Sequence, residues 1–526
     1  MKDLKYYQKI IQDKRKQTDF RVFLMEIVSW HPFILNKNKD LISRFPKSDR
    51  VQICSKEKFV ENRDSLTKHG RKYDFSQDFF QNFSSLFQST PLPNMFHYRE
   101  NENSDFTDTA VDSKNTYLSN SVVLYSQNVL YSFMVRWECD TILNSVYVSS
   151  NSENIYFSRW VLQSYKVFYS AFINNSNNVW FCSNVTGCSE CILCENIENM
   201  SYCISNKQYS KEQYLIEKQK ILAQKDNFPK FYSQLAQHGV NHNSTNVSWN
   251  YVIDSENVVE GHYVSNTKDA SNVMFVGAKA WNKDLADVFI VGGSWRSDNY
   301  WVQSTGWSDA IYCSACIGYS NTIFYSYFLE WCSYCIWCVW LQNKSYCILN
   351  TQYSKEDWEI LADKIFAQME QDNELGNFFP ADMNPFYFND TMAEMLGDFS
   401  RDEVEAKWYM WRDEEIKIDI PEWSEVIYAN PDMVGNEYFH SKNTGDHNFL
   451  NKTRNENIRS LQDFQWYDEN NNWKIDPEIL NKVIVDEKWD YYRIVQMEYD
   501  FLVKHGLPVP EMHWMDRIKL NFWINN

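Results

Sequence analysis

The chain has 526 residues, with 51 Lys and Arg against 70 Asp and Glu, for a formal net charge of -19. That balance excludes DNA or RNA as an expected partner, because phosphate contacts need clustered Lys and Arg, and it favours solubility. The length predicts about three domains' worth of chain, or fewer in a repeat protein, and no apolar run approaches the ~18 residues of a membrane span.

The N-terminus, MKDLKYYQKIIQDKRKQ, has no apolar core, so no secretory signal is expected. On that reading the 13 cysteines are reduced thiols and the protein is cytoplasmic. A mixed module is expected over 1–110. From there a 12-residue period takes over. IYFS begins at Ile155, VFYS at Val167, VWFC at Val179, CILC at Cys191 and CISN at Cys203. Upstream, at Val129 and Ile142, the phase drifts. Each unit is a short run of β-branched and aromatic residues followed by Ser, Asn, Asp or Gly, which predicts a strand and a turn.

The period returns at Ile311, Ile323, Cys335 and Cys347. Cys188–Tyr214 and Cys332–Trp358 match at 16 of 27 positions with a constant offset of 144 and no gap, so the chain is internally duplicated. Strands of about four residues cannot bury an apolar face alone and must stack. The expected fold is mostly β: a parallel β-helix (β-solenoid) built from 12-residue half-coils, two to a coil of 24. First and second blocks are expected at 111–209 and 247–353. Ser210-Lys-Glu-Gln213 and Ser354-Lys-Glu-Asp357 predict N-capped helices that close the blocks, the first within a cap or insert over 210–246. Ser400 opens another helix within an irregular stretch over 354–440. A small α+β module is expected at 441–526.

The stretches YDFSQDFFQNFSSLF (73–87), ENSDFTDTAVDSKNTYL (102–118), NKSYCILNTQYSKE and its copy, FFPADMNPFYFNDTMA (378–393) and KHGLPVPEMHWMDRIKL (504–520) carry a resemblance. The chain resembles an uncharacterised family of Cys- and Tyr-rich repeat proteins with zinc-ribbon segments from Patescibacteria, the candidate-phyla radiation. The resemblance covers most of the chain from Tyr73 onward and implies no established activity. Its C-terminal ribbon pattern would place one ligand knuckle at Val485, Lys488 and Trp489 and another at His513 and Asp516. Val and Lys are not zinc ligands, so a degenerate ribbon is expected. The resemblance also suggests Gly where Trp337, Trp340, Trp408 and Trp489 stand. Some bacteria of this radiation read UGA as Gly. Translation of UGA as Trp would account at once for the low glycine count, 14 of 526, and the high tryptophan count, 21.

Candidate sites follow from residue types. Cys188, Cys191 and Cys194, like Cys332, Cys335 and Cys338, form CxxCxxC, a spacing that suits zinc or an iron–sulfur cluster. The 12-residue period instead places Cys191 and Cys203, and Cys335 and Cys347, where Val and Ile stand on other rungs, which predicts an inward structural ladder. His513 and Asp516 complete the metal candidates. Glu260 with His262, and Asp284 with Asp287, are the candidates for acid–base work on a polysaccharide. The aromatic pairs at 156–157, 168–169 and 180–181 offer either a sugar platform or a core ladder. No cofactor is expected, zinc being the one alternative. The expected function is a non-catalytic scaffold or binding surface for protein or a carbohydrate polymer. The alternatives are a polysaccharide-active β-helix enzyme and a metal-binding protein.

Overall fold

The structure is a computed structural model that describes residues 2–38, 41–235, 241–248, 251–277, 282–291, 299–306, 308–413, 424–433 and 459–522. The chain forms two compact units, each drawn from separated stretches: Tyr98–Gln237 with Glu414–Trp523, and Met1–His97 with His238–Asp413 and Ile524–Asn526. Each unit holds one parallel β-solenoid.

In the first solenoid Ile155 lies in register with Val167, Val167 with Val179, Val179 with Cys191, and Cys191 with Cys203. One sequence period is therefore one full coil. The solenoid expectation holds, and the expected half-coil is corrected. Each coil carries two four-residue strands, such as Tyr165–Phe168 and Ala171–Asn174. The reason is in the backbone. Every third residue is left-handed: Lys166 at φ 55°, Tyr169 at 48°, Phe172 at 59°, Asn175 at 44°. Four such bends close the coil within a single period. Left-handed backbone costs an L-residue roughly 1–2 kcal/mol, least for Asn, and Asn128, Asn144, Asn154, Asn175 and Asn178 fill many of these places. Asparagine thus takes the place glycine usually holds.

The residue after each left-handed bend faces the lumen. Val129, Ile142, Ile155, Val167 and Val179 form one apolar row, and Val135, Val148, Val161, Ile173 and Val185 the other. Between them run serine rows. Ser170 Oγ donates to the Phe168 carbonyl (2.8 Å) and accepts from the Cys182 N–H (3.1 Å). Ser158 does the same toward Tyr156 and Ser170. A narrow lumen accepts hydroxyls only when both functions are satisfied.

The upstream phase drift is a coil one residue longer: Gln127 pairs with Asp140 and Asp140 with Glu153. The extra residue is absorbed by two successive left-handed residues, Trp137–Glu138 and Ser150–Asn151. In the second solenoid the step widens elsewhere, Val273 pairing with Val288 and Val288 with Val302, before Ile311, Ile323, Cys335 and Cys347 resume the regular period.

Both solenoids end alike. A short hairpin turns back, Cys203 opposite Gln208 and Cys347 opposite Gln352. Then Ser210 and Ser354 cap helices Lys211–Leu222 and Lys355–Gln371, as expected. Tyr214 and Trp358, both buried, pack on the outer tyrosines of the last coils, Tyr214 on Tyr202 and Trp358 on Tyr334 and Tyr346. Ser400 likewise caps Arg401–Glu405.

The outer walls are clad by helices. In the first unit Phe501 of Gln496–His505 packs on Tyr156 and Phe168, Phe228 of Phe228–Ser233 on Tyr169 and Phe181, and Trp514 of Trp514–Phe522 on Tyr131. A fully buried ion pair, Arg517–Glu498 at 2.5 Å, lies beneath this cladding. In the second unit Phe79 of Phe79–Ser89 packs on Tyr325 and Trp337, and Trp30 packs on Tyr327. Among the described residues no helix is long and apolar enough to cross a membrane.

Candidate functional site in the cysteine-lined terminal coils

The two CxxCxxC runs lie inside the last coils of the two solenoids. Cys188, Cys191, Cys194, Cys203, Cys332, Cys335, Cys338 and Cys347 are free thiols, each 0–2% exposed. Cys191, Cys203, Cys335 and Cys347 continue the apolar row, as the period predicts. The other four continue the serine rows, which the period alone does not predict. The Cys188 N–H donates to Ser176 Oγ, Cys332 N–H to Ser320 Oγ and Cys338 N–H to Ser326 Oγ, at 3.0–3.1 Å. Beyond them the thiols take over as acceptors: Cys194 N–H donates to Cys182 Sγ at 3.3 Å and Met200 N–H to Cys188 Sγ at 3.4 Å. Serine at every sixth position was the available signal.

Each set has a central thiol. Cys191 is in side-chain contact with Cys188, Cys194 and Cys203, and Cys335 with Cys332, Cys338 and Cys347. The hydrogen bond with Cys194 and burial push Cys191 up; burial and the contacts with its three neighbours push Cys335 up. The hydrogen bond with Cys182, and then that with Cys191, favours ionisation of Cys194, as the bond with Cys335 does for Cys332. Among the described residues, the one trio of His, Cys, Asp or Glu side chains whose donor atoms all lie within 4.8 Å is Asp486, Asp490 and Asp516. No three of the sulfurs therefore close to that distance.

The acid–base candidates are built into the fold. His262 is buried with its ring stacked on Phe20 at 4.9 Å, and burial pushes it down to about 4. Glu260 is half-buried in left-handed backbone, its N–H on Ser248 Oγ. Asp284 pairs with the adjacent Lys283 at 3.4 Å. Asp287 is fully buried, accepts from Asn272 Nδ2 at 2.8 Å and lies 3.8 Å from Arg15 Nη1. Burial pushes it up to about 6. Glu26 lies 3.8 Å from the same nitrogen, and burial pushes it up to about 7. Asp284 and Asp287 lie on one strand, Asn282–Val291, but Asp287 shares Arg15 with Glu26 while Asp284 pairs with Lys283. Nothing in local spacing could reveal Arg15 or Glu26, which come from the N-terminal helices Leu4–Arg15 and Phe20–Glu26.

The aromatic pairs are neither an open platform nor half inside. Tyr156, Phe157, Phe168, Tyr169, Trp180 and Phe181 all point away from the lumen and are buried under the helices.

At the C-terminal module, strand Lys482–Val485 returns through a tight turn to Tyr491–Tyr492. Val485 is buried core. Lys488 Nζ donates to Asp516 Oδ1 at 2.7 Å, and the His513 N–H donates to Asp486 Oδ2 at 2.9 Å. Burial pushes the His513 imidazole down to about 4.

The four tryptophans that stand where the resemblance suggests Gly all hold left-handed backbone: Trp337 at φ 55°, Trp340 at 56°, Trp408 at 69° and Trp489 at 68°. Inside the solenoid this does not single them out, since Tyr325 and Phe328 on the coil before share it. Outside it does. The Trp408 N–H bonds the Glu405 carbonyl and the Tyr409 N–H the Val404 carbonyl, so Trp408 holds the C′ position of a helix end that favours Gly. Trp489 ends the turn between Asp486 and Asp490, another glycine place. Compared with protein-family models, curated proteins and solved structures, the chain shows no significant match in any of the three.

Proposed function

We propose that the protein is a non-catalytic scaffold whose solenoid walls bind a protein or another polymer. One wall of the first solenoid supports this most directly. The row Trp137, Ser150, Gln163, Asn175, Gly187, Asn199 is exposed or half-exposed along its whole length. It repeats at the coil spacing of ~4.8 Å on a hydrogen-bonded frame, and it is uncharged in a chain of net charge -19. A periodic row in which Gln163, Asn175 and Asn199 offer amides and Ser150 a hydroxyl suits a repeating neutral partner. His262 and Asp287 serve packing, and the carboxylates of Asp287 and Glu26 have Arg15 between them. Purified full-length protein on glycan and peptide arrays, with mass spectrometry of the same ligands after incubation, tests the reading. Binding lost in the triple variant Gln163→Glu, Asn175→Glu, Asn199→Glu, with ligands unchanged in mass, is expected. Shortened or otherwise converted ligand would overturn it.

A further inference from the structure

We propose that the cysteine-lined terminal coil of each solenoid is a binding site for a soft monovalent metal ion of the copper(I) class. In the first unit the ion sits between Cys191 and Cys203, with Cys188 and Cys194 beside it. In the second it sits between Cys335 and Cys347, with Cys332 and Cys338 beside it.

Three observations converge. The first is internal to the chain. The two blocks keep all four cysteines at an offset of 144, while other lumen positions have drifted: Val185 against Leu329, Ile197 against Leu341, Met200 against Lys344, Cys182 against Ser326. A thiol serving only as a small apolar filler would have drifted too, because the same row holds Ile155, Val167 and Val179, and Ile311 and Ile323. Serine likewise fills the neighbouring rows at Ser158, Ser170, Ser314 and Ser326.

The second is geometric. Cys191 and Cys203, and Cys335 and Cys347, are in-register partners on adjacent parallel strands, whose backbones lie ~4.8 Å apart. Two metal–sulfur bonds of about 2.3 Å laid end to end span nearly that distance. Linear two-coordination across the two coils therefore matches the strand spacing. Tetrahedral zinc needs four sulfurs drawn around one point, and no three sulfurs lie within 4.8 Å of one another.

The third is chemical. The lumen offers sulfur donors and few others, and thiolate selects soft ions. Binding displaces the two thiol protons to solvent and forms two metal–sulfur bonds, with no electron transferred. The thiols of these coils are 0–2% exposed, so the ion loads during folding or through local opening of the coils.

The experiment is anaerobic refolding of reduced full-length protein with copper(I) buffered by a competing colorimetric chelator, read by bound copper and by the ultraviolet thiolate-to-copper band. Two equivalents are expected. Cys191→Val and Cys335→Ile, which place residues already used in those rows, should each remove one, and the double variant both, with circular dichroism unchanged. Cys139→Ser, a lumen thiol upstream in the first solenoid, should leave two. Copper retained by the double variant, no competition with the chelator, or preference for zinc over copper(I) would overturn the proposal.

Discussion

The two solenoids have lumens of the same make and differ in their cladding. Both carry apolar rows alternating with serine rows, and both end in cysteines, a hairpin and a capped helix. Yet the aromatic wall of the first lies under helices Phe228–Ser233, Gln496–His505 and Trp514–Phe522, whereas that of the second lies under Phe79–Ser89 and the segment around Trp30. The repeat encodes the coil, because its hydrogen bonds and lumen contacts join residues one period apart. It does not encode the cover, which comes from chain outside the repeat and buries whatever the outer wall presents. Aromatic residues on that wall have no lumen to enter, so they depend on cladding.

The largest effect is expected from separating cover and coil. Residues 98–237 produced without 414–523, or 238–413 without 1–97, should aggregate, since their aromatic walls would be bare. Co-production of each pair as separate chains should restore a soluble complex by size exclusion. A solenoid that stays monomeric and folded alone would show that coil and cover are independent.

Next comes pH, read through the acids under the cladding of the second unit. Asp287 sits at about 6 against an ordinary 3.8, so its contribution is complete below 3.8 and lost as pH rises through 6. Glu26, at about 7, acts in the same direction. His262, at about 4 against 6.5, contributes fully above 6.5, and that is lost as pH falls through 4. The groups around the acids are Arg15, Lys14, Lys407, Asn272, Thr18 and Tyr409. In urea unfolding from pH 4 to 7 the parent should therefore lose about 2–3 kcal/mol relative to Asp287→Asn, in which the histidine contribution is common to both. Identical pH dependence in the two proteins would sink the assignment.

A smaller effect should probe the lumen of the first solenoid. Ser170→Val removes the acceptor for the Cys182 N–H and should cost about 2 kcal/mol. Ser170→Cys, which repeats the arrangement at Cys182, should cost less than half as much. Equal losses on thermal unfolding would show that the serine rows are mere filler. The smallest effect is at Trp408, 80% exposed in a glycine position. Trp408→Gly should stabilise by about 1 kcal/mol. The gene offers a parallel check: UGA codons are expected at Trp337, Trp340, Trp408 and Trp489, and UGG at both 337 and 340 would remove the recoding idea.

Much of the lumen was legible. The recurrence of Ile155, Val167 and Val179, the match of Cys191 with Val179, and the Ser-Lys-Glu caps are local patterns that propensity and spacing report. Coil size was not. Strand and turn signals do not say how many units close a turn, and Lys166, Tyr169 and Phe172 give no hint of left-handed backbone. The serine rows are visible as letters but read as turns, because a hydroxyl in a lumen makes sense only once its two hydrogen bonds are seen.

The letters alone were enough to establish a duplicated parallel solenoid with cysteines in its final rungs, because that information lies in contacts one repeat apart. Packing in three dimensions settled the rest: that one period closes a coil, that His262 and Asp287 are buried, and that thiols converge on Cys191 and Cys335. Those outcomes depend on backbone bends and long-range burial, which no local run of letters carries.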